Sequence, residues 1–200
     1  MSPSLQKRLK SAFRTTTLLR ARDLAALGFS RAQMREAVST QHLEQAGRGL
    51  YRMPRGSITQ HHSLAEIGRR VPSGVVCLLS ALSFHGLTTQ SSHEIWLAVG
   101  HKAWSPRSDN IPLRIVRFSG ASLKEGVETH TVEGVPIKIY SPGKTVADCF
   151  KFRNKIGLDV ALEALRETWA SRRTSMKELQ HFARIDRVAK VMQPYLESLT

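Results

Sequence analysis

Between Leu27 and Gln33 the chain reads Leu-Gly-Phe-Ser-Arg-Ala-Gln, with a glycine able to stop one helix two residues before a serine able to start the next. Glycine readily takes the left-handed backbone that closes a helix. Ser30 and Gln33 have the spacing of a capping box, in which each side chain bonds the other's backbone N–H. Around this turn RDLAALGF (22–29) reads as a short helix, and SRAQMREAVSTQHL (30–43) as a longer one. Met34, Ala37 and Val38 fall on one face of the second, while Arg31, Arg35, Ser39 and His42 project elsewhere. Two short helices on a tight turn, the second basic on its exposed side, are what a helix-turn-helix requires.

The flanking segments complete a small domain. From Ser4 onward Leu5, Leu9, Ala12 and Phe13 form one apolar helical stripe opposite Lys7, Arg8 and Lys10. TTTLLRA (15–21) has strand composition. LEQAGRGLYRMP (43–54) reads as a hairpin: Gly47 and Gly49 permit the positive φ of a tight turn, Arg48 sits at its tip, and Tyr51 can pack it onto the domain. This predicts a winged helix-turn-helix over residues 1–56. Its third helix would face the DNA major groove with Arg31, Gln33, Arg35 and Ser39. Arg48 would enter the adjacent groove, with Arg52, Arg55 and Lys10 on phosphates.

Charge agrees with that reading. Lys and Arg total 30 against 16 Asp and Glu, a net charge of +14, which favours a polyanion such as nucleic acid or an anionic membrane surface. Residues 1–56 hold 11 basic and 3 acidic residues, so more than half the excess lies in the first quarter of the chain.

Residues 57–200 predict a larger α+β domain with a helical C-terminal half. Ser57 and Gln60 have capping-box spacing before a helix that ends at Val71-Pro72 and is expected to connect the two domains. GVVCLLSALSFHGLT (74–88) is apolar enough to be buried, with Ser80 as cap of a helix over SALSFHGL and Gly86 as its stop. SHEIWLAVG, IPLRIVRFSG, VETHTV and VPIKIYSP read as four strands of one mixed or antiparallel sheet, and helices are expected over 141–157, 157–169 and 175–199.

Catalysis and metal binding are not expected. His61 and His62 point about 100° apart on a helix, and His85 and His93 have no partners at ligand spacing. His85 reads as a hydrogen-bonded core residue. Glu94, Asp109, Glu128 and Glu133 form no Asp/Glu-x-Lys cluster of the kind a metal-dependent nuclease needs. SPGKT (141–145) lacks the first glycine of a phosphate-binding loop. Ser141 reads as a cap there, and Lys144 as free to touch an anion. Lys151 and Lys155, spaced i, i+4 in KFRNK, are further candidate anion contacts, to which RNA could bind. Cys77 and Cys149 read as buried small hydrophobes. Without a run of 18 apolar residues or a signal-peptide core, the expected compartment is the cytoplasm, with no membrane partner and no cofactor.

GRGLYRMP (47–54), CLLSALSFHGLT (77–88), IKIYSPGKTVADCFKFRNKIGLDVALEALRE (137–167) and VMQPYLESL (191–199) together resemble the AbiEi family of antitoxins, the transcriptional-regulator half of type IV toxin-antitoxin systems. The resemblance covers nearly all 200 residues. It implies a non-enzymatic protein whose winged helix binds inverted repeats in its own promoter and represses it. It also implies a C-terminal antitoxin domain that counteracts an AbiEii toxin, a nucleotidyltransferase-like protein, without forming a stable complex with it. Two other readings stay open: a stand-alone regulator whose C-terminal domain senses a ligand or dimerises, and a nucleic-acid-processing enzyme delivered by its winged helix.

Overall fold

In the computed structural model, which describes residues 3–54, 59–90, 92–106, 108 and 110–199, the chain is mixed α+β and divides into two compact units. The first comprises residues 1–72 with 130–137, and the second 73–129 with 138–200. The first therefore reaches past residue 56 and takes in the helix expected to be a connector.

The first unit begins with α1 (Pro3–Ala12), β1 (Leu18–Arg20), α2 (Ala21–Ala26), α3 (Arg31–Ser39), β2 (Glu44–Gly47) and β3 (Leu50–Arg52). The three strands form one antiparallel sheet in the order β1-β3-β2. Leu5, Leu9, Leu19, Leu24, Phe29, Met34, Ala37 and Leu43 make its core, with Phe13, Val38 and Tyr51 packed against it. The apolar stripe of α1 and the inward face of α3 are thus as their spacing requires. α4 (His62–Arg70) belongs to the same unit. Arg69 on it donates from Nε to the Leu18 carbonyl at 3.1 Å and lies 3.5 Å from the Asp23 carboxylate. Ser57, expected to cap this helix, lies outside the described residues.

The second unit starts with β4 (Val75–Val76) and α5 (Leu78–His85), followed by β5 (Ile95–Gly100), β6 (Leu113–Phe118) and α6 (Ala121–Lys124). The hairpin of β7 (Val127–Val132) and β8 (Val135–Tyr140) comes next. The sheet runs β6-β5-β4-β8-β7 and is mixed: β4 is antiparallel to β5 and parallel to β8, and β5 is parallel to β6. The fifth strand, β4, is two residues long and lies before the helix expected from Ser80, in residues to which the sequence reading assigned no element. Cys77, not Ser80, occupies the N-cap of α5. Ser80 lies within α5, where its Oγ accepts the Trp96 N–H at 2.9 Å, and Gly86 closes the helix in the left-handed conformation with φ +66°.

α7 (Pro142–Lys151), α8 (Arg153–Ile156), α9 (Leu158–Ala170), α10 (Met176–Ile185) and α11 (Ala189–Glu197) complete the chain. Val146, Ala147, Phe150, Val160, Leu165, Leu179 and Met192 supply much of the second core, in which both cysteines are fully buried. His85 is buried there as expected, its Nε2 2.8 Å from the Tyr140 carbonyl. No helix among the described residues is long and apolar enough to cross a membrane.

Candidate nucleic-acid interface

Helix α3 begins where the sequence puts it. Ser30 Oγ accepts the Gln33 N–H at 3.1 Å, and Gln33 Oε1 accepts the Ser30 N–H at 2.9 Å. Gly28, at φ +80°, lets the chain leave α2, and Phe29 anchors the turn in the core. Arg8 of α1 locks the same turn from outside: its Nη2 donates to the Gly28 carbonyl at 3.0 Å and its guanidinium lies 4.7 Å from the Phe29 ring centroid. A cation on the exposed carbonyls of a helix end satisfies both their hydrogen bonding and the helix dipole. Sequence spacing carried no signal for this contact, which joins residues 20 apart.

The structure sorts the predicted DNA-contact residues by what already occupies them. Gln33 is committed to the capping box, and Ser39 Oγ donates back to the Glu36 carbonyl at 3.0 Å. Arg52 faces Glu44 directly across the hairpin and pairs with it at 2.8 Å, so its charge is partly met within the strand pair. Arg55 lies outside the described residues. Arg31, Arg35 and Arg48 are exposed and, among the described residues, have no hydrogen-bond or ion-pair partner. Arg31 and Arg35 stand one helical turn apart on a stripe that reaches Ser39, about 12 Å along the axis.

Arg48 and Gly49 form the two-residue turn between β2 and β3. Gly49 takes φ +68°, as the turn requires. Gly47 does not adopt a positive φ: it is needed because a Cβ there would collide with the Arg70 guanidinium, which pairs with Glu66 at 2.7 Å. Exposed Lys7, Lys10 and Arg14 add cations to the unit, whereas the carboxylates of Asp23 and Glu44 are engaged by arginines.

Within the first unit, Glu133 ties residues 130–137 to the segments around Thr17 and His62. Its carboxylate accepts from Thr17 Oγ1 at 2.8 Å and from the Thr59 N–H at 2.7 Å, and lies 2.8 Å from His62 Nδ1. Burial pushes this carboxyl up, but the hydrogen bonds from Thr59, His62 and Thr17 outweigh it and hold it down at about 2. Glu133 had entered the sequence reading only as an unlikely metal ligand; its role depends on partners 71 or more residues away.

In the second unit the expected anion contacts are corrected. Lys144 is wholly buried, 2.5 Å from Asp148 Oδ1 and 3.1 Å from Asp186 Oδ2, with its ammonium 4.6 and 4.9 Å from the Tyr140 and Phe118 ring centroids. A charge so enclosed cannot meet an anion in solvent. Burial raises the Asp148 carboxyl, with Lys144 opposing. Lys151 reaches the same cluster, 3.4 Å from Asp186 Oδ1. A break at Phe152 separates α7 from α8, so Lys151 and Lys155 are not i, i+4 neighbours on one helix; Lys155 is exposed, with its ammonium 5.6 Å from the Phe152 ring centroid. Ser141 does cap α7, its Oγ accepting the Lys144 N–H at 3.4 Å.

No protein-family model matches the chain, and no curated protein matches it in sequence. Among solved structures, the crystal structure of the Rv2827c protein from Mycobacterium tuberculosis is similar in fold, with a TM-score of 0.62 at 15% identity over 91% of this chain and 72% of that one.

Proposed function

We propose that the protein is a DNA-binding transcriptional repressor of its own promoter, with a winged helix-turn-helix in the first unit. The observation that carries this reading is the set of three exposed arginines that have no partner among the described residues, Arg31 and Arg35 on one stripe of α3 and Arg48 in the β2–β3 turn. The order α1-β1-α2-α3-β2-β3, with β1 joining the outer side of β3, supports it, because this arrangement frees α3 for a major groove and the hairpin for the neighbouring backbone. Arg31 and Arg35 read guanine edges, each good bidentate pair giving about 1–3 kcal/mol of discrimination. Arg48 enters the narrower groove, where negative potential is greatest. Lys10 sets affinity through phosphate.

The resemblance of residues 77–88, 137–167 and 191–199 to AbiEi antitoxins extends the proposal to the second unit. That unit counteracts a nucleotidyltransferase-like toxin encoded beside it, without a stable complex. A reporter placed behind the DNA upstream of the gene, with and without the protein and the neighbouring toxin, tests both parts. Repression lost with Arg35→Ala, and toxin rescue by the intact protein, are the expected results. Full repression by the Arg31→Ala, Arg35→Ala double variant would refute the α3 reading, and toxicity unchanged by the protein would refute the antitoxin reading.

A further inference from the structure

Trp104, in the loop after β5, is 77% exposed. Arg117 on β6 holds this loop: its Nη1 donates to the carbonyls of Gly100, His101 and Ala103 at 3.1, 2.8 and 2.8 Å, and its Nη2 to Ser105 Oγ at 2.7 Å. Three of these contacts hold backbone carbonyls before the indole and the fourth holds the Ser105 side chain after it, and Pro106 is buried just beyond. An ordered loop therefore displays the ring in water, against the usual preference of so large an apolar surface.

The neighbours of Trp104 decide what kind of partner fits. His101, Lys102, Ala103 and Ser105 are all exposed, and residues 95–106 contain no carboxylate. A Cβ built on Gly100 would lie 3.6 Å from Leu123 Cδ2, which places α6, with its exposed Lys124, beside the loop. A tryptophan that anchors a protein interface sits within a ring of contacts that exclude water. Among the described residues the other exposed large apolar side chains are Leu27 and Leu158, neither of them in this loop. Base stacking needs only one ring face and nearby cations.

We propose that the Trp104 loop is a stacking platform for an unpaired base of a single-stranded nucleic acid, with Lys102 on the adjoining phosphate. Arg117 is its positioning residue. The site is built from residues of the second unit alone.

The test uses the full chain and fluorescein-labelled strands of about 12 nucleotides: single-stranded RNA, single-stranded DNA and a duplex, each followed by anisotropy at fixed salt. Trp104→Ala is expected to weaken single-strand binding about tenfold and Trp104→Phe, which keeps a stacking face, by no more than about threefold. The intrinsic fluorescence of the wild type falls on adding single strands, and Trp104→Phe loses that quench. Arg117→Ala weakens single-strand binding although the indole remains, and Lys190→Ala, at an exposed position of α11, leaves it unchanged. Tighter binding of one strand over the other identifies RNA or DNA as the source. The proposal is overturned if Trp104→Ala binds single strands within about twofold of wild type, if the quench persists in Trp104→Phe, or if wild type binds neither strand, the outcome expected of a loop that docks on a protein.

Discussion

Glu133 concentrates more of the first unit's local structure in one carboxylate than any charged group near α3. Its carboxyl is held at about 2 in the folded protein by Thr59, His62 and Thr17, below the ordinary range near 4.3. A group depressed by folding adds stability that is fully present above its unfolded pKa and lost as pH falls through its folded one. The stability from Glu133 should therefore decline between about pH 4.3 and 2. Denaturation midpoints of wild type and Glu133→Gln across pH 7 to 2 check this: the variant is the less stable at pH 7, and the gap closes toward pH 2. A constant gap would mean that the carboxylate charge is irrelevant. Lys144 illustrates the opposite kind of buried charge, paired in place with Asp148 and Asp186. Replacing it with Met strands the buried Asp148 carboxylate, Asp186 keeping Lys151 and Ser122, and should cost about 3–5 kcal/mol in urea unfolding, against under about 1 kcal/mol for exposed Lys155→Met.

At the level of elements, glycines separate close approach from backbone freedom. Gly49 and Gly134 both take positive φ, +68° and +72°, but a Cβ on Gly49 meets open space while one on Gly134 collides with the Thr15 carbonyl oxygen. Gly49→Ala should then cost about 1 kcal/mol for its backbone alone, and Gly134→Ala distinctly more, as thermal unfolding of the two variants would measure. Equal losses would show that the Thr15 contact yields freely. Local signals of this type were legible in the sequence: the Gly28 stop, the Ser30–Gln33 capping box, the Arg48-Gly49 turn and the caps at Ser141 and Gly86 all lie within a few residues of the element they define. Ser80 is not a cap because α5 starts two residues before it, at Leu78, and its Oγ instead accepts the Trp96 N–H, a partner 16 residues away. Lys144 escaped through such a distant partner. SPGKT places a lysine near a helix start, but only the fold brings Asp186 to it. Of the DNA-contact set, the stripe Arg31–Arg35 followed from helical period, whereas the commitments of Gln33, Ser39 and Arg52 needed the hydrogen-bond partners.

For the molecule as a whole, the net charge of +14 is a statement about partners more than about folding. The Lys144, Lys151, Asp148 and Asp186 cluster of the second unit contributes nothing to it, two cations meeting two carboxylates, whereas Arg31, Arg35 and Arg48 have no ion-pair partner among the described residues. Salt dependence should reflect that division. Each phosphate contact removed lowers the slope of log K against log salt by about 0.9 on duplex DNA, so Lys10→Ala should reduce it by about 0.9, and Lys155→Ala should not change it.

The most direct test of the account is equilibrium binding of the protein to duplex DNA from upstream of its own gene against a scrambled duplex of equal length, at matched salt, with Arg35→Ala alongside. The account predicts tighter binding to the upstream duplex by at least about 10³-fold, with Arg35→Ala losing about 1–3 kcal/mol of that preference while its binding to scrambled DNA barely changes. Equal affinity for both duplexes, with a steep salt slope unaffected by Arg35→Ala, would contradict it and leave α3 as an ordinary solvated helix.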